Sequence, residues 1–181
     1  GGSPSDLLLP KNFLIVEGLS EFELLTRVIQ RFYSDKPPIQ IVKANGDIDQ
    51  VERSINSIEK VFSPLNTSIY KDRIVIMLDQ PSEQTKGGVQ AFLQANNHIK
   101  EGNQLHVLPL RDIEQCYPDQ ACPIYINWRK SQEELDAVNE NGAKIITGRK
   151  KRQLAKHVGN NITKEQFEAD LNKFFEALIK C

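Results

Sequence analysis

The chain has 181 residues, 39% of them hydrophobic, which is enough for one domain with a substantial core, and it contains no apolar run long enough to span a membrane. Its formal net charge of −1 neither favours nor excludes nucleic acid, because local clusters of charge matter more than their sum. Three cysteines without Cys-x-x-Cys spacing and three scattered histidines argue against a zinc site and indicate reduced thiols in a cytoplasmic protein.

Residues 1–10 resemble a linker or an expression remnant, and they lack the basic start and apolar centre of a secretory signal. The first predicted element is a buried strand at residues 13–16, where four apolar residues run directly into Glu17 and Gly18. Open α/β sheets bind their ligands at the carboxyl ends of the strands. The sequence therefore predicts that Glu17 lies where a ligand site would form.

An amphipathic helix is predicted from about Ser20, because Ser20 and Glu23 have the spacing of a capping box and apolar residues then recur at helical intervals. Lys36 and the two prolines that follow it end this helix. Glu21 falls in the first helical turn, where a carboxylate is stabilised by the helix dipole. Two acids, Glu17 and Glu21, thus flank one strand-to-helix turn.

The remaining core elements alternate in type along the chain. Apolar runs predict three more strands at residues 39–42, 74–78 and 105–108, and helical patterns lie between them at residues 48–62 and around residues 89–93. This order predicts an α/β fold with a parallel four-stranded sheet and helices on both faces. We assign the core to residues 11–109.

Residues 110–181 are interpreted as a helical extension of that core. A short helix is predicted at residues 111–117, followed by irregular chain at residues 119–130. Capping boxes begin at Ser131 and Thr163. The last helix is predicted to bury one apolar face, formed by Phe167, Leu171, Phe174 and Leu178.

Acidic residues follow two of the predicted strands. The carboxyl ends of parallel strands lie at the same edge of a sheet, so Glu17 and Asp79 are expected side by side. With Glu21 beside them, three carboxylates share one rim, and charges of one sign at such close range need a cation. Oxygen ligands without histidine or cysteine suit Mg²⁺ or Mn²⁺, which serve phosphoryl chemistry. The alternative is that these are ordinary solvated acids at strand ends.

This pattern resembles the Toprim domain, the metal-binding fold shared by topoisomerases, bacterial primases and nucleases of the OLD (overcoming lysogenization defect) family. Glu17-Gly18 matches the family's strand ending in Glu-Gly, and Glu21 matches the second acid that OLD-like nucleases carry four residues on. Residues 45–47 fall at the family's glycine turn, and Asp79 matches the first acid of its Asp-x-Asp element. The resemblance implies a Toprim-like parallel four-stranded sheet that holds one or two Mg²⁺ or Mn²⁺ ions.

The chain departs from the family at the second acid of the Asp-x-Asp element, where Pro81 stands. Three interpretations are open. Glu83, two residues further on, supplies the missing oxygen, or one metal ion is bound weakly, or the domain has lost its activity.

The extension is similar to the OLD branch in two places. Glu114 corresponds to a glutamate that often lies near the metal ions, and Lys151, with Lys150 as the alternative, to a lysine at a helix start that faces the scissile phosphate. The alternative interpretation of Glu114 is an ordinary exposed acid on a helix. Arg149, Lys150, Lys151 and Arg152 form a run of four cations that suits a phosphate backbone, although such runs are usually solvated helix faces.

The resemblance implies a metal-dependent DNA endonuclease or nickase with four catalytic residues, Glu17, Glu21, Asp79 and Lys151, and with Glu83 and Glu114 as further metal ligands. For an OLD-like nuclease it also implies a bacterial cytoplasmic protein, an upstream ABC-type ATPase outside this chain, a homo-oligomer formed through that missing region, and a role in phage defence. The alternative function is a degenerate Toprim module that binds nucleic acid or supports assembly. A primase- or topoisomerase-type Toprim is a third interpretation.

Overall fold

The computed structural model describes residues 12–44, 73–81, 83, 86–110, 113–118 and 140–181, of which residues 140–150 are described as helical backbone. Four strands and five α-helices, numbered in chain order, lie within these ranges. They are β1 (Asn12–Val16), α1 (Leu19–Phe32), β2 (Ile39–Lys43), β3 (Ile74–Leu78), α2 (Lys86–Ala95), β4 (Leu105–Val107), α3 (Glu140–Asn161), α4 (Lys164–Asp170) and α5 (Asn172–Lys180), with a 3₁₀ helix at Ile113–Cys116 between β4 and α3.

The four strands form one parallel sheet in the order β2-β1-β3-β4, which confirms the predicted α/β architecture. Val16 at the end of β1 is paired with Met77 in β3 on one side and with Lys43 in β2 on the other. The glycine turn at residues 45–47, the helix at residues 48–62, the irregular chain at residues 119–130 and the capping box at Ser131 lie outside the described residues.

Alternate residues of the central strands enter two separate cores, because successive side chains of a strand point to opposite faces of the sheet. Leu14 and Val16 pack with residues of α1, α3, α4 and α5. Phe13 and Ile15 pack on the other face with Phe92 of α2. The helix predicted around residues 89–93 therefore covers one face, and the prediction of helices on both faces is confirmed.

The extension completes the core on the α1 side of the sheet. The capping box at Thr163 is confirmed, since Thr163 Oγ1 accepts a hydrogen bond from the Gln166 N–H at 3.2 Å and Gln166 Oε1 accepts one from the Thr163 N–H at 3.0 Å. The predicted last helix is divided into α4 and α5 at Leu171. Its predicted apolar face is buried throughout, at Phe167, Leu171, Phe174 and Leu178.

Helix α3 packs closely along α1. A Cβ atom on Gly159 would lie 3.0 Å from Cβ of Arg27 and 3.2 Å from the carbonyl oxygen of Leu24, so a larger residue would push the two helices apart. The Gly159 carbonyl oxygen also accepts a 2.7 Å hydrogen bond from Arg31 Nη1. This contact fixes the position of α3 beside α1.

Three helix boundaries differ from the sequence predictions. Helix α1 begins at Leu19 with Gly18 as its N-cap and no side-chain cap, so the capping box predicted at Ser20 is wrong. Helix α3 begins well before Gly148, which places Lys151 in the helix interior rather than at a helix start. The short helix after β4 is a 3₁₀ turn. In the described ranges, none of the helices combines the length and apolar character needed to cross a membrane.

Candidate functional site

Glu17 and Asp79 each follow the last residue of a central strand, and the two strands are neighbours in the sheet. They meet at the carboxyl edge, the edge of the sheet at which all four strands end. The backbone N–H of Asp79 donates a 3.1 Å hydrogen bond to Oε2 of Glu17. The prediction that these two acids lie side by side is therefore confirmed.

Glu21 is the third residue of α1, and only 4% of it is exposed to solvent. Its Oε2 atom is buried and has no hydrogen-bond partner among the residues that the structure describes. A Cβ atom on Gly18 would lie 2.8 Å from this oxygen. Glycine at position 18 therefore leaves the space that the Glu21 carboxylate occupies, which gives a physical reason for the Glu-Gly pair at the end of β1.

Burial raises the pKa of Glu21 from its ordinary value of 4.5 to about 7, and the negative charges of Glu114 and Glu17 add to this rise. The backbone N–H groups of Glu21 and Gly18 lower the pKa in part. Glu17 after β1, Glu21 in α1 and Glu114 in the 3₁₀ helix are therefore close enough to interact electrostatically. Near neutral pH, Glu21 is poised between its protonated and ionised forms.

Glu114 lies in the 3₁₀ helix and is 2% exposed. Ser20 Oγ donates a 2.9 Å hydrogen bond to its Oε1 atom, and Lys151 Nζ lies 3.3 Å from its Oε2 atom. Glu114 is thus a buried carboxylate with a hydroxyl on one oxygen and an ammonium on the other, and the interpretation as an exposed helix acid is wrong. We refer to Glu17, Glu21, Asp79, Glu114 and Lys151 as the candidate site.

Arg152, predicted to contact nucleic acid, is engaged within the fold. Its Nε atom lies 2.7 Å from Oε1 of Glu23, and Glu23 also pairs with Arg27 at 2.6 Å and with Lys156 at 3.6 Å. These cations lower the pKa of Glu23 against the opposing effect of its burial. The ion pairs of Glu23 with Arg152 and Lys156 join α1 to α3 next to the candidate site, whereas its pair with Arg27 lies within α1.

Glu83, the predicted substitute for the missing second acid, is 86% exposed at its side chain and forms an ion pair with Lys86. Its partner, Lys86, is the first residue of α2. Glu83 is not among the charges that raise the pKa of Glu21, which are those of Glu114 and Glu17. The side chains of Arg149 and Lys150 lie outside the described residues.

The donor set is made of carboxylate oxygens, which suit Mg²⁺ or Mn²⁺. The buried Glu21 oxygen that lacks a partner within the described ranges is an acceptor that a cation would satisfy. In the positions that the described side chains occupy, no three of the residues His, Cys, Asp and Glu are grouped closely enough to hold a metal ion. The residue types thus fit a hard divalent cation, and their binding to one would require the carboxylates to converge.

Ser20 and Gly18 contribute to this site, although neither residue was predicted to have that role. The position of Ser20 between two acids of the strand-to-helix turn was a signal, but its spacing to Glu23 favoured a helix cap. Its actual partner, Glu114, is 94 residues away in the sequence. A partner at that distance leaves no local pattern.

Comparison of the chain with protein-family models, with curated proteins and with solved structures found no match. The fold and the site together define a class, an α/β protein with a parallel four-stranded sheet and buried acids at its carboxyl edge.

Proposed function

We propose that this chain is a DNA phosphodiesterase of the Toprim type, an endonuclease or nickase that depends on Mg²⁺ or Mn²⁺. One observation carries the proposal. Five residues singled out in the sequence come from separate elements and are linked at one sheet edge by pairwise contacts and charge interactions, and among the described residues Oε2 of Glu21 is buried there without a hydrogen-bond partner. A strongly raised pKa among clustered acids is typical of sites that bind a cation or a charged substrate.

Glu17, Glu21 and Asp79 would hold the metal ion, which supplies charge neutralisation at the phosphate and a nucleophilic hydroxide at neutral pH. Lys151 would stabilise the charge that develops on the phosphate oxygens. Glu114 has both of its oxygens engaged, and Glu83 is paired with Lys86, so neither is placed in the first set of ligands.

DNA would approach along α3, where Lys151 and Arg152 would contact phosphates. Their side chains are 29% and 50% exposed, so both can reach solvent. Together with Arg149 and Lys150 they would give DNA binding that weakens as salt is raised.

A plasmid-nicking assay in Mn²⁺ tests the proposal. The wild type is expected to convert supercoiled plasmid to open circles, and Glu21→Gln and Asp79→Asn are expected to abolish the conversion. Glu101→Gln is the matched control and is expected to cut normally. Glu101 is an exposed acid that precedes β4, so it lies toward the opposite edge of the sheet from the candidate site. Equal cutting by all four proteins would place the active site elsewhere.

A second function, that of a degenerate Toprim module that binds nucleic acid or supports assembly, is favoured by Pro81 and by the side-chain positions, in which three carboxylates do not yet converge. Titration calorimetry with Mn²⁺ separates the two functions. A nuclease is expected to bind Mn²⁺ in a manner that Glu17→Gln weakens, and a degenerate module is expected to show no binding that depends on Glu17.

An upstream ABC-type ATPase, a homo-oligomer, a bacterial cytoplasmic location and a role in phage defence follow from the OLD resemblance as parts of the same proposal. The sequence of the parent gene is the direct test. An ATPase domain encoded ahead of this chain would support the OLD assignment, and a zinc ribbon or a tyrosine nucleophile domain would favour the primase or topoisomerase interpretation.

A further inference from the structure

We propose that Ser20 is a positioning residue of this site, which orients Glu114 so that Glu114 in turn holds the Lys151 ammonium at the carboxyl edge. The inference rests on the proposed function and deepens it, because it identifies the residues that position Lys151. It also assigns Glu114 to Lys151 rather than to the metal ion.

Three side chains from three elements form an unbroken line. Ser20 Oγ on α1 is 2.9 Å from Oε1 of Glu114 in the 3₁₀ helix, and Oε2 of the same carboxylate is 3.3 Å from Lys151 Nζ on α3. The carboxylate lies in the middle and is 2% exposed, so it depends on these two groups for most of its solvation. The line crosses from the helix that carries Glu21 to the helix that carries the lysine.

The need for Ser20 follows from the flexibility of the lysine. A lysine ammonium sits on four rotatable bonds and has no preferred plane, so its position is set by the acceptor that it meets. A carboxylate held at only one oxygen can still turn about its last bond. The Ser20 hydroxyl holds the second oxygen, and the lysine is thereby placed before substrate arrives, which is the form of preorganisation that lowers reaction barriers.

Ser20 is also the direct neighbour of Glu21 in the first turn of α1. The same turn therefore presents the buried acid and, through Glu114, the cation. Any shift of this turn would move both charges together. The Thr26 hydroxyl on the same helix shows the contrast with a purely structural hydroxyl, because it donates a 2.7 Å hydrogen bond to the Phe22 carbonyl oxygen of its own helix. The Ser20 hydroxyl instead bonds to the buried acid that pairs with Lys151.

The test uses three variants, Ser20→Ala, Ser20→Thr and Thr26→Ala. Ser20→Ala removes the hydroxyl that holds Glu114, Ser20→Thr keeps it, and Thr26→Ala is the matched control that removes a hydroxyl from the same helix. The first readout is the rate at which an amine-acylating reagent modifies Lys151 in the metal-free protein, followed by mass spectrometry, with exposed Lys164 as the internal reference.

We expect Ser20→Ala to raise the acylation rate of Lys151 relative to Lys164, and Ser20→Thr and Thr26→Ala to leave that ratio at the wild-type value. The second readout is plasmid nicking, in which Ser20→Ala is expected to lower kcat by roughly tenfold with KM and Mn²⁺ affinity unchanged, and Ser20→Thr to restore it. If Ser20→Ala does not fold, Ser20→Cys, a near-isosteric weak donor, is expected to give the same result.

An acylation ratio that is the same in Ser20→Ala and in wild type would overturn the positioning role, whatever the nicking assay shows. So would failure of Ser20→Thr to restore the ratio. If the wild type does not cut DNA at all, the proposed function fails while the acylation readout still decides whether Ser20 holds the lysine.

Discussion

The backbone N–H of Asp79 donates a 3.1 Å hydrogen bond to Oε2 of Glu17. The residue that immediately follows β3 is thus bonded to the residue that immediately follows β1. This bond crosses the sheet at the point where the ladder between β1 and β3 ends. It holds one oxygen of the Glu17 carboxylate at the carboxyl edge of the sheet.

The bond predicts different results for two substitutions of Glu17. Glu17→Gln keeps an acceptor oxygen and is expected to change the free energy of unfolding by less than about 0.5 kcal/mol, whereas Glu17→Ala leaves the Asp79 N–H without that acceptor and is expected to cost about 1–2 kcal/mol. Urea unfolding in the absence of metal measures both. Mn²⁺ binding is expected to weaken in both variants, and a Glu17→Gln protein that binds Mn²⁺ as the wild type does would contradict the ligand role.

The pKa of Glu21 predicts how stability changes with pH. Because this pKa is raised from 4.5 to about 7 in the fold, its contribution to stability is fully present below pH 4.5 and is lost as the pH rises through 7. Glu21→Gln cannot ionise, so it is expected to match the wild type at pH 4.5 and to exceed its unfolding free energy by about 3 kcal/mol at pH 8. Urea unfolding in EDTA at both pH values checks the difference.

Glu23→Gln is the control for that experiment, because the pKa of Glu23 is lowered by Arg152 and Arg27. Its contribution is present above the ordinary pKa of a glutamate and is lost as the pH falls through its folded pKa. Glu23→Gln is thus expected to destabilise the protein at pH 8, in the direction opposite to Glu21→Gln. Two variants that shift stability in the same direction would refute the assignment of these charges.

Gly18 is expected to matter for the site more than for stability. In Gly18→Ala the new Cβ would lie 2.8 Å from Oε2 of Glu21, and the end of this flexible side chain is the part that must move. The backbone at Gly18 is extended and suits alanine, so the free energy of unfolding is expected to change by less than about 1 kcal/mol. Mn²⁺ affinity measured by calorimetry is expected to fall at least as far as it does in Glu21→Gln.

Lys151 and Lys156 make a matched pair on α3. Lys151→Ala leaves the buried Glu114 without its cation. It is expected to lower the free energy of unfolding by about 1–3 kcal/mol and to abolish DNA cleavage. Lys156 lies 3.6 Å from Glu23 and is 40% exposed, so Lys156→Ala is expected to cost less than about 1 kcal/mol and to leave cleavage intact. Thermal unfolding and the nicking assay measure the two effects. Equal losses of stability and of cleavage in both variants would contradict the role of Lys151 in the candidate site.

The fold was predictable where a single pattern determines structure. The apolar runs at residues 13–16 and 74–78 are buried strands, and their shared direction brings Glu17 next to Asp79. The start of α1 was not predictable in the same way. Ser20 satisfies the local rule for a cap, but its hydroxyl instead bonds to Glu114, and a tertiary partner of that kind outweighs a cap that contributes about 1 kcal/mol.

The candidate site shows the same division. Glu114 and Lys151 were placed by resemblance alone, and the contact between them depends on how α3 packs against the 3₁₀ helix and α1, which no local pattern encodes. Arg152 belonged to a cation run that predicted a nucleic-acid contact, and its ion pair with Glu23 comes from the same packing. Residue type could be inferred from the sequence, and the partners could not.

The two strands that carry Glu17 and Asp79 are the inner pair of the sheet, each flanked by a neighbour on both sides. Amide protons in such strands exchange with solvent only when the whole sheet separates, so their exchange rates follow global unfolding. We therefore expect the backbone beneath the two acids to be among the slowest of the described residues to open, at a free energy close to that of global unfolding.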